Sequence, residues 1–258
     1  MGHDRLRAHR RRLAGRLRHD RRRDGQDRSR ASRPRPARRH VSSGSRPADA
    51  LLLDMDGVLV DSTATVESHW AQWAARRELP LSEVMHGVHG TPTRDNVARF
   101  VAADEVDAET DWIEALPVDG DDDVALPGAA AALSQHVLPV AVVTSAPNAI
   151  ARWRLERAGL PVPAVVVGAD DVPRGKPNPD PYLLAANLLG VDPSRCVGVE
   201  DSPTGLAALR AAGVAPLAVL TTFDAGELDA LAHLPDLTAL VIESGQVRWT
   251  GRTDGGIR

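Results

Sequence analysis

The chain has 258 residues, of which 43% are hydrophobic, and a formal net charge of −4. This length is sufficient for a large core in one big domain or two smaller ones. No apolar run approaches the roughly 18 residues of a membrane span, and the N-terminus has no apolar stretch typical of a secretory signal. The single cysteine, Cys196, excludes an internal disulfide framework and is typical of a reducing compartment. We therefore expect a cytoplasmic protein without membrane partners.

The net charge conceals a strongly basic N-terminal segment. Residues 1–50 carry 17 arginines and 5 aspartates, whereas the other 208 residues carry 14 basic and 30 acidic side chains. Because residues 1–48 lack apolar periodicity, we expect a disordered, arginine-rich extension. Such an arm could bind nucleic acid, which is the interpretation of this chain that involves no enzyme. The arm has no interleaved aromatic side chains to stack on bases, so we expect an extension without a role and no nucleic-acid partner.

The stretch from Leu51 to Ser62 contains the first predicted strand and its charged end. Three leucines precede Asp54, which is typical of a strand buried on both faces of a parallel sheet. Packing alone does not explain Asp54 and Asp56, because burying an unpaired carboxylate is costly. The two side chains can point to the same side where the strand ends, and Gly57 permits a sharp turn. The pattern indicates a cation site or a reaction that uses two carboxylates, although an Asp-Gly turn in a loop would have the same sequence.

Residues 127–245 alternate between predicted strands and helices. The predicted strands are Val140–Val143, Ala164–Val167, Cys196–Val199, Leu217–Leu220 and Thr238–Ile242, and the predicted helices are Ala149–Ala158, Pro179–Leu189, Pro203–Ala212 and Asp224–Ala232. This alternation predicts an α/β fold with a doubly wound, mostly parallel sheet and helices on both faces.

The segment 63–126 interrupts this alternation and is predicted to be mainly helical. It therefore resembles an insertion that covers the sheet, and its acidic run Asp119–Asp123 is predicted to be a solvated loop. The predicted organisation is an α/β core over 49–62 and 127–245, a helical cap over 63–126, and a C-terminal tail over 246–258.

Polar side chains follow several of the predicted strands, at the edge of the sheet where ligands bind in open α/β folds. They comprise Asp54 and Asp56, Thr144 and Ser145, and Glu200 and Asp201. Lys176 is the single lysine beside 30 arginines, which suggests a place that needs a compact positive charge. A divalent cation among the carboxylates and a phosphate on Thr144 and Lys176 would give this set a common use. One aspartate could then attack phosphorus while the other handles the proton.

These residues resemble the four motifs of the haloacid dehalogenase-like (HAD) hydrolases in order, spacing and strand context. The matching stretches are Asp54-x-Asp56-Gly57-x-Leu59-x-Asp61-Ser62, Thr144, Lys176-Pro177 and Glu200-Asp201-Ser202-Pro203-x-Gly205, within about residues 49–222. Four linked motifs are far more specific than one. The resemblance implies a HAD-like core in which the segment 63–126 is a small helical cap that closes over substrate.

The resemblance also implies a role for each motif residue. Asp54 would be the nucleophile and Asp56 the general acid and base. Thr144, Ser145 and Lys176 would bind the phosphoryl group. The implied cofactor is Mg²⁺, with Asp54, Asp56 (through its backbone carbonyl), Glu200 and Asp201 as candidate ligands.

Three features separate the activities found within this family. Asp56 argues against dehalogenation, because displacing a halide needs no acid for the leaving group. The β-phosphoglucomutase branch has a histidine ten residues after the second aspartate, where this chain has Val66, although His69 lies about one helical turn further on. The stretch from His89 to Asp95 resembles one in sugar- and polyol-phosphate phosphatases, a group that includes glycerol-3-phosphatase and 2-deoxyglucose-6-phosphatase.

The cap residues His89, Thr93 and Arg94 are therefore candidates to meet substrate. The alternative is that Thr93 caps a helix and Arg94 is solvated. The predicted function is a magnesium-dependent phosphatase that hydrolyses a small sugar phosphate or polyol phosphate through an aspartyl-phosphate. A phosphosugar mutase similar to β-phosphoglucomutase is the alternative within the family.

Overall fold

The computed structural model describes residues 41–88, 91–116 and 123–252. Its strands are β1 Val41–Pro47, β2 Ala50–Leu53, β3 Val60–Asp61, β4 Val124–Ala125, β5 Val140–Val143, β6 Val165–Val167, β7 Cys196–Glu200, β8 Ala215–Val219, β9 His233–Leu234, β10 Leu240–Glu243 and β11 Gln246–Arg252. Its α-helices are α1 Thr63–Arg76, α2 Leu81–Met85, α3 Thr93–Val97, α4 Val106–Glu114, α5 Ala129–Ser134, α6 Asn148–Arg157, α7 Asp180–Leu189 and α8 Pro203–Ala211. Within the described ranges, no helix is long and apolar enough to cross a membrane.

One large sheet runs through these elements in the order β1-β11-β9-β8-β7-β2-β5-β6, with β10 paired to β11. The six strands from β9 to β6 are parallel, and β1, β10 and β11 pair in antiparallel fashion at one end. The α/β fold with a mostly parallel sheet, predicted from the alternation of strands and helices, is confirmed.

Strand β2 lies at the centre of the sheet because both of its faces are apolar. It pairs in parallel with β5 on one side and with β7 on the other. Leu51 and Leu53 pack into one hydrophobic cluster, whereas Ala50 and Leu52 pack into a second one. Successive side chains of a strand point to opposite faces, so these clusters lie on the two sides of the sheet. The residues that follow β2 consequently lie between the ends of two neighbouring strands.

The helices α1 to α4 form a separate layer with its own apolar cluster, centred on Trp70, Trp73, Val84, Val97 and Ile113. The chain enters this layer through β3 and leaves it through β4, and the two short strands pair with each other. The Trp73 indole donates a hydrogen bond to Glu109 Oε2 at 2.7 Å, which connects α1 to α4. The predicted helical segment is therefore present, and its description as a mobile cap stays a prediction.

Two of the predicted boundaries are wrong at the edges of the core. Strand β1 lies inside the range predicted to be a disordered extension, of which residues 1–40 are outside the described residues. Strand β11 lies inside the predicted C-terminal tail, and it pairs with β1 from Val41–Arg252 to Pro47–Gln246. Trp249 packs against Gly44, where a Cβ would lie 2.5 Å from the indole. The two strands are far apart in sequence, so neither one alone predicts the pairing.

A predicted helix over Asp224–Ala232 is also wrong. In the structure this segment forms turns, and its last residues extend alongside β8. Leu231 N donates to Pro216 O at 2.9 Å, and Ala218 N donates to Ala232 O at 2.9 Å. Backbone pairing with the buried strand therefore overrides the helical propensity of the segment.

A pair of valine substitutions tests whether β11 belongs to the folded core. Val247 is fully buried, whereas Val241 on β10 is 52% exposed. Val247→Ala should lower the free energy of unfolding by about 2 kcal/mol, because it removes buried methyl groups. Val241→Ala should change it by less than about 0.5 kcal/mol. Urea denaturation measures both values, and an equal, small effect of the two substitutions would contradict the placement of β11.

Candidate active site

Three neighbouring strands deliver polar residues to one edge of the sheet. Asp54 follows β2, Thr144 follows β5, and Glu200 and Asp201 lie at the end of β7. Because β2 pairs with both β5 and β7, the carboxyl ends of these strands lie side by side. Each of the four side chains is at least 95% buried. The structure thus brings together residues that are distant in sequence.

Lys176 connects two of these strand ends. Its ammonium group donates to Asp54 Oδ1 at 2.6 Å, to Glu200 Oε1 at 2.7 Å and to the Val143 carbonyl at 3.0 Å. These three bonds use all three hydrogens of the ammonium, which is 1% exposed. Burial alone would lower the pKa of Lys176, but the two carboxylates outweigh it and raise that pKa, so the group is charged.

Glu200 holds this lysine in place. Its Oε1 accepts from the Tyr182 hydroxyl at 2.7 Å as well as from Lys176. Its Oε2 accepts from the backbone N–H of Asp201 at 3.1 Å and from the Ser202 hydroxyl at 3.0 Å. Gly205 is required here, because a Cβ at that position would overlap the Glu200 carboxylate. Both oxygens of Glu200 are thus committed to protein donors.

Asp201 lies against the turn that follows Asp56. Its Oδ2 accepts a hydrogen bond from the Thr222 hydroxyl. Gly57 has a φ of +78°, and a Cβ on Gly57 would overlap the same oxygen. The sequence motif thus contains glycine for two reasons: the backbone conformation and the close approach of a carboxylate.

The buried charges of this cluster do not balance. Oxygens of Asp54, Glu200 and Asp201 lie within 4.8 Å of one another, and Lys176 supplies one positive charge. Burial, followed by repulsion from Glu200, raises the pKa of Asp54 well above its ordinary range and that of Asp201 to about 7. A surplus of hard oxygen donors in a buried place suits a divalent cation such as Mg²⁺, which would compensate the surplus charge.

Asp56 has a different environment from Asp54. Its side chain is 32% exposed, compared with 5% for that of Asp54. Its Oδ1 accepts from the Ser62 hydroxyl at 2.5 Å and from the Arg154 guanidinium at 3.0 Å. The two aspartates of the motif therefore differ in burial and in partners.

Arg154 and Asp123 are parts of this site that the sequence interpretation missed. Asp123 was predicted to lie in a solvated loop, but its side chain is fully buried, with Oδ2 3.9 Å from Arg154 Nε. Burial raises the pKa of Asp123, and the charge of Arg154 opposes that shift. Asp123 precedes β4, so this contact connects Asp56 to the strand through which the chain leaves the helical layer. Because arginine is frequent in this sequence, nothing in the sequence distinguished Arg154 from the other arginines.

A cavity of about 350 Å³ opens above Asp54, between the sheet edge and the helical layer. Thr144 and Ser145 line its lower side, and Thr144 Oγ1 accepts from the Ala146 N–H at 3.1 Å. Within the part of the chain described, this leaves the Thr144 hydroxyl hydrogen available to a ligand. Val66 and His69 of α1 line the opposite side. A molecule in the cavity would therefore contact both layers.

The three cap candidates have different outcomes. Thr93 lines the cavity, while Pro92 occupies the N-cap of α3, so the capping alternative is wrong. Arg94 is 59% exposed in its side chain and pairs with Asp107, outside the residues that line the cavity, which agrees with the solvated alternative. His89 lies outside the described residues.

Comparison with known proteins agrees with this geometry. Residues 48–213 match the haloacid dehalogenase-like hydrolase family. Hexitol phosphatase A of Escherichia coli (strain K12) is 41% identical over 210 residues, covering 76% of this chain and 96% of that protein. Glycerol-1-phosphate phosphohydrolase 2 of Saccharomyces cerevisiae is 33% identical over 196 residues, covering 70% and 78%. A hydrolase from Pseudomonas syringae has a similar fold, with a TM-score of 0.67 at 23% identity over 74% of this chain and 94% of that one.

The chain belongs to the haloacid dehalogenase-like hydrolases. Within them it is a phosphoric monoester hydrolase, in agreement with the relatives that it matches along most of their length. The resemblance to sugar- and polyol-phosphate phosphatases, predicted from the motifs, is confirmed.

Two glycine substitutions test whether Asp201 and its surroundings hold a cation. Gly57→Ala should displace the Asp201 carboxylate and reduce the rise in melting temperature that MgCl₂ produces. Gly213→Ala is the matched control: its φ is +76° and nothing lies within 4 Å of the added carbon. It should cost about 1–2 kcal/mol in backbone strain and leave the response to MgCl₂ unchanged. Equal responses to MgCl₂ in the two variants would contradict a cation site at Asp201.

Proposed function

We propose that the protein is a Mg²⁺-dependent phosphatase that hydrolyses a small sugar phosphate or polyol phosphate through an aspartyl-phosphate on Asp54. The observation that carries this proposal is the buried Asp54–Lys176–Glu200 arrangement beneath a cavity, with Asp56 on the exposed side. The relatives named for hexitol and glycerol phosphates support the substrate class. The buried Cys196 is compatible with the cytoplasmic location that forms part of the proposal.

The donor set fits a magnesium ion. Asp54, Asp201 and the backbone carbonyl of Asp56 would hold it, with Glu200 close by and bonded through both oxygens to protein donors. When bound, Mg²⁺ supplies positive charge that offsets repulsion between the carboxylate and the phosphate and stabilises charge on the transferring group.

In the first step, a carboxylate oxygen of Asp54 attacks phosphorus and the bond from phosphorus to the substrate oxygen breaks. Lys176 fixes the opposite oxygen of Asp54 at 2.6 Å, which orients the attacking one. Thr144 and Ser145 hold the phosphoryl oxygens. Lys176 contributes its positive charge without a bond to the phosphate, because its three hydrogens go to Asp54, Glu200 and the Val143 carbonyl. Asp56 donates a proton to the leaving oxygen, so the alcohol departs neutral.

In the second step, water attacks the phosphorus of the aspartyl-phosphate. Asp56, now ionised, takes the proton of that water, and Asp54 leaves as a carboxylate. The bonds from Ser62 and Arg154 hold Asp56 at a constant position through both steps. Inorganic phosphate then leaves the cavity and the starting state is restored.

The helical layer acts as the cap in this proposal. The paired strands β3 and β4 are its two connections to the sheet, so a change in their backbone would move α1 to α4 together. Closure would remove bulk water from the cavity and bring Thr93 toward the substrate. A cavity of about 350 Å³ suits a phosphorylated molecule of a few carbon atoms.

Substitution of Asp54 tests the nucleophile. Purified enzyme should release phosphate from hexitol 6-phosphates and glycerol phosphates with MgCl₂, and the rate should fall to background with a chelator. Asp54→Asn should lower kcat by at least roughly a thousandfold, because an amide is not a nucleophile toward phosphorus. Asp61→Asn is the control, since Asp61 is exposed and bonds to the Thr63 N–H at 3.2 Å. Turnover by Asp54→Asn at the rate of Asp61→Asn would refute the aspartyl-phosphate.

The mutase alternative has one observation in its favour. His69 lies on α1 one turn beyond Val66 and lines the same cavity, where a mutase histidine would be needed. A mutase must keep water away from its phosphoenzyme until a sugar hydroxyl attacks it.

Product partitioning separates the two activities. With a hexose 1-phosphate as substrate, we expect free phosphate to exceed hexose 6-phosphate by at least about tenfold, because Val66 offers no proton acceptor for a sugar hydroxyl. Phosphate release and isomer formation are measured in the same samples. An excess of isomer that disappears in His69→Ala would establish a mutase.

A further inference from the structure

One carboxylate in the cavity has no part in the proposed chemistry. Glu114 is the last residue of α4, lines the cavity from the side of the helical layer and is half-buried. Thr93, at the start of α3, lines the same cavity. Glu114 thus places an acidic side chain on the wall formed by the helical layer, whereas Asp54 and Thr144 line the cavity from the sheet edge.

The positive charges of the site are committed elsewhere. Lys176 lies between Asp54 and Glu200 at the floor of the site. Arg154, the one arginine among the cavity-lining residues of the described ranges, donates to Asp56. A substrate that carries a second anionic group far from its phosphate would therefore meet Glu114 with no free positive charge among the described lining residues.

A neutral polyol would interact favourably with Glu114 on this wall of the cavity. Hydroxyl groups donate hydrogen bonds, and the two oxygens of a carboxylate accept them. A substrate carboxylate or phosphate offers no such donor when ionised, and it adds repulsion inside a partly enclosed cavity, where charge is poorly screened. The same residue would thus attract one class of substrate and repel the other.

We propose that Glu114 is a specificity-determining residue: it selects phosphorylated substrates whose distal end is uncharged and bears hydroxyl groups, and it rejects those with a carboxylate or a second phosphate there. Burial, the largest influence on Glu114, raises its pKa, while Thr93 opposes that shift. The proposal rests on the proposed phosphatase activity and adds the charge class of the substrate.

Two compounds that differ at a single carbon test this filter. Sorbitol 6-phosphate ends in a hydroxymethyl group, and 6-phosphogluconate ends in a carboxylate at the same position. The native enzyme should prefer the hexitol phosphate in kcat/KM. Glu114→Gln keeps the shape of the side chain and removes its charge, so it should reduce that preference at least tenfold, mainly through a lower KM for 6-phosphogluconate. Glu114→Lys should reverse the preference.

Glu83→Gln is the matched control, because Glu83 is an exposed carboxylate of α2 outside the residues that line the cavity. This substitution removes the same charge from the helical layer. It should leave the ratio of kcat/KM for sorbitol 6-phosphate to kcat/KM for 6-phosphogluconate as it is in the native enzyme. An equal ratio in the native enzyme, Glu83→Gln and Glu114→Gln would overturn the proposal while leaving the phosphatase intact.

Binding measurements separate this failure from failure of the proposed function. In the Asp54→Asn background, calorimetry with MgCl₂ gives the Kd of both compounds without turnover. Weaker binding of 6-phosphogluconate that Glu114→Gln relieves would support the filter even if hexitol phosphate is not hydrolysed. Equal affinities, or binding of neither compound, would overturn it.

Discussion

The ion pair of Lys176 with Asp54 and Glu200 is the interaction on which the rest of the site depends. It buries an ammonium and two carboxylates, which is tolerated because each group is hydrogen bonded at 2.6–3.0 Å. Removing one partner of such a pair costs about 3–5 kcal/mol, since the other charge stays buried and unpaired. Tyr182 joins α7 to the end of β7, and Lys176 joins the ends of β2 and β7. The bond from Lys176 also commits Oδ1 of Asp54, which leaves Oδ2 for a ligand. The bond from Lys176 to Asp54 therefore both stabilises the buried cluster and orients Asp54.

This constraint also explains why two aspartates of one motif differ. Asp54 follows a strand that is buried on both faces, and its Oδ1 is bonded to Lys176. Its other oxygen is therefore the one that can contact a ligand. Asp56 lies just before the turn at Gly57, is partly exposed, and is held by Ser62 at the start of α1 and by Arg154 of α6. A fixed, buried carboxylate suits attack, whereas a partly exposed one beside the connections to the cap suits exchange of a proton with substrate and water.

The sequence predicted the residues whose position follows from parallel strand pairing. Asp54, Thr144 and Asp201 each follow a buried apolar run, and adjacent parallel strands bring such positions together. Arg154 and Glu114 were missed because helix packing, which leaves no local pattern, brings them to the cavity. Asp123 was missed because its burial depends on the contact with Arg154, which is distant in sequence. The pairing of β1 with β11 was missed because its partners lie at opposite ends of the described chain. The false helix near Leu231 shows backbone pairing overriding propensity.

The most direct test of the account is chemical trapping of the phosphoenzyme. Enzyme that is turning over a hexitol phosphate with MgCl₂ is quenched within milliseconds and treated with borohydride, which reduces an acyl phosphate to an alcohol. Peptide mass spectrometry should then find homoserine at position 54, and position 56 should remain aspartate. No homoserine during active turnover, or homoserine at another aspartate, would contradict the proposal that Asp54 attacks the phosphoryl group.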